Sequence, residues 1–383
     1  MKRMWLLILA IGFFLFAQVA QADWTPAKRL TWTSGLSNMP VIIVDPSGNP
    51  HVLWQDNTPG KSVIYYKKST DGGTTWTALN RLAWTSGGSY APGVAVDSLG
   101  HLHVVWSDDT PGNAEIYYKK STDGGATWTV SKRLTWTLGY STAPAIAVDS
   151  SGTLHVAWQE HTLTNREIYY KKSPDEGATW TASQRLTWTS SYSESPAIAV
   201  DSSLNPHLVW HGATPGYWQV YYKKSTDGGA NWTTSRRLTW TSGNSYVSAV
   251  CADAPAALHV IYYDHSPGNA EIYYRKSLDG GASWKTSQRL TWNSGFSGYP
   301  ALAIDASGDL HVVWQDDTPG NEEIYYKTST DGGATWPNSQ RLTWTSGGSY
   351  YPSIAAAASG DLHVVWEDGT PGNGEIYYLK SIK

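Results

Sequence analysis

One short segment, Arg-Leu followed by Thr or Ala and then Trp, occurs seven times along the chain. Successive copies begin 52 residues apart, at Arg29, Arg81, Arg133, Arg185, Arg237, Arg289 and Arg341. Because no copy contains an insertion or a deletion, the array leaves no room for a second domain of another kind. A period of this length matches one four-stranded blade of a β-propeller. The sequence therefore predicts an all-β fold in which residues 23–383 form a single seven-bladed β-propeller with four-stranded antiparallel blades.

Each copy divides into four strand-like segments. In the third copy these are residues 144–149 (PAIAVD), 154–160 (LHVAWQE), 167–173 (EIYYKKS) and 185–189 (RLTWT). The small side chains of the first segment suit the narrow centre of a propeller, and the aromatic residues of the later segments suit its periphery. The 36 glycines agree with many short strands joined by turns.

The two ends of the array complement each other. The last copy stops at residues 381–383, directly after its third strand, whereas residues 23–32 (DWTPAKRLTW) supply a fourth strand that lacks its first three. We therefore predict that residues 28–33 complete the last blade. This closure removes two free strand edges that would otherwise invite aggregation.

Residues 1–22 have the pattern of a secretory leader. Lys2 and Arg3 precede an apolar run, and Ala20-Gln21-Ala22 provides a small-x-small cleavage site. We expect removal of residues 1–22 as a signal peptide and export from a bacterial cell to the periplasm or the medium. We expect no membrane insertion after the leader is removed.

Charge and cysteine content exclude several classes of protein. The formal net charge of −4 provides no basic field for nucleic acid or for an anionic membrane. The single cysteine, Cys251, cannot form an intramolecular disulfide or a thiolate zinc site. We expect no metal and no cofactor. The recurring histidines and glutamates, such as His155 and Glu167, are interpreted as structural, with each histidine bonded to the preceding turn.

Between the third and fourth strands, six copies contain the complete pattern S-x-D-x-G-x-x-W. A short Asp accepts hydrogen bonds from turn amides, Gly permits positive φ, and Trp packs the hairpin onto the blade. The pattern resembles the Asp box, or bacterial neuraminidase repeat (BNR), of sialidases and of many non-enzymatic propellers. The resemblance implies a propeller whose boxes lie opposite the active-site face, so a structural role is expected for Asp71, Asp123, Asp175, Asp227, Asp279 and Asp331.

The resemblance to sialidases does not extend to their chemistry. That family uses three arginines that bind a carboxylate, a Tyr/Glu nucleophile pair, an Asp acid/base and a Phe- or Tyr-Arg-Ile-Pro segment. The last segment is absent from the sequence, and seven of the arginines belong to the periodic series. Residues spread around a ring cannot converge on one substrate. Sialidase activity is therefore not expected.

The loops between second and third strands, and those that lead to the next blade, emerge opposite the Asp boxes. They contain the recurring segments WQDDTPGNxEIYY and WTSGxSYxP. Aromatic faces stack on sugar rings, and Asp and Asn bond sugar hydroxyls. Turn formation alone accounts for the same residue types. The periodic candidates for ligand binding are Asp108, Asp109, Asp316, Asp317, Tyr140, Tyr192, Tyr246 and Tyr351.

Copies three to five depart from the repeat on this same face. Either neutral drift in exposed loops or one asymmetric pocket explains the departure. The additional ligand candidates are His161, His211, Trp218 and His265. If the protein is an enzyme, the candidate catalytic residues are Glu160, Glu194, Asp264 and Arg166.

The leading hypothesis is an exported, non-catalytic binding propeller for a glycan or another cell-surface ligand. The first alternative is a sialidase-like glycoside hydrolase, and the second is a protein-interaction scaffold at the cell surface. An enzyme should have one pocket of unlike groups, a lectin should have similar repeated sites, and a scaffold should have a flat apolar patch.

Overall fold

The computed structural model describes residues 23–58, 60–162, 164–213, 216–253 and 256–382. The predicted signal peptide, residues 1–22, lies outside these ranges. The described residues form twenty-nine strands and no helix, so none of them belongs to a helix that could cross a membrane. The strands build seven antiparallel sheets with consecutive strands adjacent in space. These sheets are the seven blades that the repeat predicts.

Each complete blade runs from a long first strand to a two-residue fourth strand. In blades 1 to 3 the strands are Ser37–Val44, Pro50–Asp56, Val63–Lys68, Asn80–Arg81; Ser89–Val96, Leu102–Asp108, Glu115–Ser121, Lys132–Arg133; and Tyr140–Val148, Leu154–His161, Arg166–Ser173, Gln184–Arg185. In blades 4 to 6 they are Ser193–Val200, Pro206–Ala213, Trp218–Lys224, Arg236–Arg237; Ser245–Asp253, Ala257–Asp264, Glu271–Ser277, Gln288–Arg289; and Ser297–Ile304, Leu310–Asp316, Glu323–Ser329, Gln340–Arg341. Blade 7 contains Ser349–Ala356, Leu362–Asp368 and Glu375–Ile382 together with the N-terminal strands Asp23–Trp24 and Lys28–Arg29.

The N-terminal segment closes the ring, as predicted. Lys28–Arg29 pairs with Glu375–Ile382, the third strand of blade 7. Asp23–Trp24 forms a further short strand along the same partner, which the sequence analysis did not anticipate. The Trp24 ring also packs edge-on against Tyr326 of blade 6, with 5.1 Å between the ring centroids. The segment therefore joins two blades as well as completing one.

The hydrophobic core is divided among the boundaries between blades. Between blades 1 and 2, Leu82 packs with Val104 and Trp106 of the following blade, and all three are at most 1% exposed. The corresponding positions form clusters at the other boundaries. Each blade therefore buries both of its faces against its neighbours.

The fourth strands are shorter than the sequence indicates. Residues 185–189 are predicted as a strand in blade 3, but the observed strand is Gln184–Arg185. The ladder stops because the Thr187 hydroxyl, instead of a backbone carbonyl, accepts the Ile168 N–H at 2.9 Å. The Glu167 carboxylate then accepts a backbone N–H two residues further on, at 2.8 Å. Side chains thus replace the backbone ladder where the chain leaves the blade.

The Asp box forms a compact hydrogen-bonded turn. In blade 2, the Ser121 hydroxyl donates to Asp123 and accepts the Gly125 N–H, both at 2.7 Å. Hydrogen bonds from Thr127 and Ser121 hold the pKa of the Asp123 carboxyl well below its usual range. The box tryptophan, Trp128, packs edge-on against a tyrosine of the preceding blade at a centroid distance of 5.2 Å. The box therefore stabilises its own turn and contacts the neighbouring blade.

Three of the periodic histidines bond the first turn, as expected: His51, His155 and His207. In blades 2, 5, 6 and 7 the corresponding Nε2 atom has no hydrogen-bond partner among the described residues, so the expectation was wrong for those four blades. In blade 3, His155 Nε2 lies 3.3 Å from Asp149 Oδ2. Its Nδ1 lies 2.7 Å from the Tyr170 hydroxyl, a partner that the sequence analysis does not name. The same pair of histidine and tyrosine occurs in all seven blades. Burial lowers the pKa of the blade 2 member, His103, to about 4, so its imidazole is neutral at pH 7.

Candidate functional site

A cavity of about 580 Å³ opens at the centre of the ring. Residues from all seven first strands line it, which confirms that the first strands are innermost. The wall from blades 1 to 4 carries short or unbranched side chains at Met39, Ala91, Ala143 and Ser195. The wall from blades 5 to 7 carries Tyr246, Tyr263, Tyr299 and Tyr351. The cavity is therefore asymmetric although its backbone frame is periodic.

A β-bulge near the start of each first strand shapes the lip of this cavity. In six blades the residue directly before the proline of the first strand has a φ of 49–50°. These residues are Met39, Ala91, Ala143, Ser195, Tyr299 and Tyr351. The left-handed region costs a non-glycine residue about 1–2 kcal/mol. The preceding blade supports some of these residues, since Gln55 accepts the N–H of Ala91 at 3.0 Å and two other glutamines act likewise. Supported backbone strain of this kind is typical of functional sites.

The aromatic wall is continuous from blade 5 to blade 7. Tyr246 is the cross-strand partner of Tyr263, and their ring centroids are 5.2 Å apart. The Tyr263 ring lies 5.5 Å from Tyr299, which in turn lies 5.0 Å from Tyr351. Burial raises the pKa of Tyr246 and Tyr351. Their hydroxyls are therefore neutral hydrogen-bonding groups at pH 7.

His211 and Trp218 extend this wall into blade 4. The His211 ring lies edge-on to Trp218 and to Tyr246, with centroid distances of 5.1 Å to each. Burial lowers the pKa of His211 to about 4, and its Nδ1 has no partner among the described residues. Trp218 stacks on Tyr192 at 6.4 Å, and His265 lies 6.0 Å from Tyr246. Predicted residues of copies four and five thus come together on one surface.

An ion pair borders the aromatic wall. The guanidinium of Arg166, in blade 3, contacts the Glu194 carboxylate of blade 4 and lies 4.9 Å from the centre of the Tyr192 ring. The other Glu194 oxygen is 4.0 Å from Nε2 of His211, its cross-strand partner. The structure therefore brings together Arg166 and Glu194, whose opposite charges compensate each other at the edge of the cavity.

His161 faces a second cavity, of about 540 Å³, in the loops of blade 3. Its ring lies 6.3 Å from that of Tyr140, its cross-strand partner, and Gln159 donates to its Nε2 at 3.0 Å. Burial, followed by the positive charge of Arg166, lowers the pKa of His161. This neutral imidazole forms a polar corner beside the exposed Tyr140 ring.

Six of the predicted carboxylates serve their own blades: Asp108, Asp109, Glu160, Asp264, Asp316 and Asp317. Four of them are 0–4% exposed and each accepts a hydrogen bond from a serine of the first strand. The other two accept the backbone N–H of a neighbouring loop, as Asp317 does from Phe296 at 2.6 Å. The carboxylates of Glu160 and Asp264 are therefore engaged inside blades 3 and 5 instead of meeting Glu194.

The sequence analysis did not single out Glu367. This residue occupies in blade 7 the position that Gln55 and His211 occupy in blades 1 and 4. Burial raises the pKa of its carboxyl to about 7, and its Oε2 has no hydrogen-bond partner among the described residues. The available signal was an acid at a position where three other copies have glutamine.

One group outside the cavity has the composition of a metal site. Asp97, His101 and Glu176 each offer one ligand atom within 4.8 Å of the others, on the Asp-box side of blades 2 and 3. His101 Nδ1 is 2.9 Å from the Asp97 carboxylate, and the Lys120 ammonium already contacts Glu176. A local network of ion pairs accounts for the position of these three side chains without a metal ion.

The fold is shared with carbohydrate-active proteins of known structure. An ulvan lyase bound to GlcA(1-4)Rha3S is 10% identical, with a TM-score of 0.65 over 91% of this chain and 95% of that one. An α-L-arabinofuranosidase from Fusarium graminearum is 14% identical, with a TM-score of 0.57 over 94% and 96%. The sialidase NanB from Streptococcus pneumoniae is 13% identical, with a TM-score of 0.52 over 92% and 70%. At these identities the likeness concerns the fold alone.

Comparison of sequences identifies the family. A search of curated proteins finds no match to the chain. The family model described as a BNR repeat-like domain matches residues 89–312, more than half of the 383 residues. The sialidase-like architecture and the repeated Asp boxes agree with this match. The chain belongs to the family of BNR repeat-like domains.

Proposed function

We propose that the chain is an exported, non-catalytic propeller that binds carbohydrate in its central cavity. The observation that carries this proposal is the continuous wall of Tyr246, Tyr263, Tyr299 and Tyr351 facing a cavity of about 580 Å³. Aromatic rings with neutral hydroxyls offer both a stacking surface and hydrogen bonds to a sugar. The leader pattern in residues 1–22 supports export.

The charge of the cavity favours binding over hydrolysis. Among the described residues that line it, none is acidic or basic, apart from the neutral His211. Most glycoside hydrolases use two carboxyl groups that flank the scissile bond, about 5–9.5 Å apart, and sialidases combine their tyrosine with a glutamate and an aspartate. A lining of tyrosines and small residues meets the needs of a lectin and lacks those of a hydrolase.

The test is a glycan array probed with residues 23–383, followed by calorimetry with the strongest glycan. Tyr246→Ala is expected to weaken binding at least about tenfold, because it removes the ring that joins the tyrosine wall to His211, whereas Tyr246→Phe retains most of the affinity. Tyr90→Ala is the matched control, since Tyr90 occupies the same position in blade 2 but does not line the cavity. Absence of glycan binding, or equal losses for Tyr246→Ala and Tyr90→Ala, would contradict the proposal.

One observation favours a second candidate, a glycoside hydrolase. Glu194 lies beside the wall, with Arg166 and His211 as neighbours. We expect no hydrolysis of a fluorogenic sialoside by the wild-type chain. Should turnover occur, Glu194→Gln separates the two functions, because it removes the charge and keeps the shape. Turnover that Glu194→Gln abolishes in a folded protein would make the hydrolase the better assignment.

A further inference from the structure

A ring of exposed tryptophans surrounds the propeller. The tryptophan of each Arg-Leu-x-Trp segment is between 67% and 75% exposed; these residues are Trp32, Trp84, Trp136, Trp188, Trp240, Trp292 and Trp344. The second-strand tryptophans, such as Trp106, are fully buried. Leaving large indoles in water forgoes the stabilisation that their burial would give. Packing therefore does not explain why all seven blades place tryptophan at this exposed position.

Each of these indoles is held in a fixed orientation. The arginine three residues earlier lies under the ring, with its guanidinium carbon 4.5–5.8 Å from the ring centroid in all seven blades. Each arginine is itself anchored, since its Nε donates to a carbonyl two residues along, as Arg289 does to Thr291 at 2.7 Å. At four boundaries a lysine of the next blade also approaches, as Lys327 does to within 5.8 Å of Trp292. Each indole is thus contacted by one or two cations, and between 67% and 75% of each tryptophan remains open to solvent.

Grooves accompany the tryptophans at two boundaries. A groove of about 370 Å³ between blades 5 and 6 contains Trp292, Thr318 and Tyr325. A groove of about 460 Å³ between blades 6 and 7 contains Trp344, Thr370 and Tyr377, which are the same positions one repeat later. The repeat therefore places an oriented indole, a hydroxyl-bearing loop and a tyrosine next to one another at successive blade boundaries.

We propose that the rim carries repeated saccharide sites, in which one sugar ring of a neutral polysaccharide stacks on each exposed indole. An exposed aromatic ring among threonines and anchored cations has the composition of a sugar site, whereas a protein interface needs a contiguous apolar core. A long polymer that presents many equivalent sugars can occupy several sites at once, and this gives avidity from weak individual contacts.

The rim sites are separate from the central cavity, so one experiment distinguishes them. Residues 23–383 are run in native gels that contain mixed-linkage β-glucan, xyloglucan, galactomannan or glycol chitin. The rim variant replaces four consecutive tryptophans, Trp188, Trp240, Trp292 and Trp344, with alanine, and the central variant is Tyr246→Ala. We expect at least one polysaccharide to retard the wild type, and we expect the rim variant to lose more of this retardation than the central variant does. The rim variant should lose about tenfold or more in apparent affinity, because four of the seven tryptophans are removed.

Four outcomes would overturn the rim proposal. In the first, no polysaccharide retards the wild type, and in the second, the rim variant is retarded as strongly as the wild type. In the third, the central variant alone loses retardation. In the fourth, the rim variant sediments as a monomer where the wild type is an oligomer. The third outcome would support the central site, and the fourth would assign the tryptophans to self-association. If the fourfold change lowers the melting temperature, the single variant Trp344→Ala supplies the test, with a smaller loss expected.

Discussion

Removal of the Glu115 carboxylate tests the polar network that fastens the fourth strand to blade 2. Glu115 is fully buried and accepts hydrogen bonds from Arg133 Nη2 and from the Thr137 N–H, both at 2.8 Å. Glutamates at the corresponding position bind the corresponding arginines in blades 3, 5, 6 and 7. In blade 4 the position is Gln219, which accepts the equivalent N–H at 3.2 Å and carries no charge. The chain therefore contains its own neutral control.

The expected magnitude follows from burial. Breaking a fully buried ion pair costs about 3–5 kcal/mol, but a quarter of the Arg133 side chain is exposed and regains hydration, so Glu115→Ala should cost about 2–4 kcal/mol. Glu115→Gln keeps the acceptor for the Thr137 N–H and should cost about 1–2 kcal/mol. Gln219→Ala loses neutral hydrogen bonds alone and should also cost about 1–2 kcal/mol. The difference between Glu115→Ala and Gln219→Ala isolates the contribution of the charge.

Urea unfolding followed by tryptophan fluorescence measures these costs, with equal slopes required for the comparison. The order expected for the free energy of unfolding is wild type, then Glu115→Gln and Gln219→Ala together, then Glu115→Ala. Equal losses for Glu115→Ala and Gln219→Ala would refute the argument, because the buried charge would then contribute nothing beyond a neutral amide.

Three further predictions concern closure, the Asp boxes and pH. Deletion of residues 23–33 should abolish cooperative thermal unfolding or solubility, because it leaves blade 7 with a bare edge; melting like the intact chain would disprove the closure. Asp123→Ala should lower the melting temperature without changing glycan affinity, and the reverse result would give the box a binding role. Burial lowers the pKa of His103, His259 and His363 to about 4, whereas the unfolded chain binds these protons near pH 6.5. The contribution of these histidines to stability should therefore be fully present above pH 6.5 and should decline as the pH falls towards 4. A urea midpoint that does not change over this pH range would contradict the assignment of neutral imidazoles.

The propeller could be predicted because the same 52-residue pattern occurs in every blade. A strict period without insertions fixes the number of blades, and the unmatched ends fix the closure, whatever the details of each strand. The length of the fourth strand was harder to predict from the sequence. The Thr187 hydroxyl takes over the role of a backbone carbonyl at that point, and a β-rich segment in sequence does not disclose which group will accept a given N–H.

The candidate site was predictable in part. Departures from the repeat pointed to copies three to five, and Arg166, Glu194, His211 and Trp218 do meet there. The buried acids were harder to recognise, because Glu160 belongs to a serine–carboxylate arrangement that recurs in several blades and that a change from Asp to Glu disguises. The sequence analysis assigned the aromatic residues of the later strands to the periphery without separating the buried tryptophans from the exposed ones. Only the three-dimensional path of the short fourth strand reveals that they face solvent.

The geometry of a closed ring explains why a substitution at the axis and a substitution at the rim have different consequences. First strands converge, so a tyrosine in place of alanine at a single bulge, as at Tyr299, changes the cavity that all blades share. A few substitutions thus suffice to create one asymmetric site. Fourth strands diverge, so a side chain such as Trp344 serves only its own boundary. A function exerted at the rim must be encoded separately in every blade, and the tryptophan of the Arg-Leu-x-Trp segment is the exposed aromatic residue that all seven blades retain.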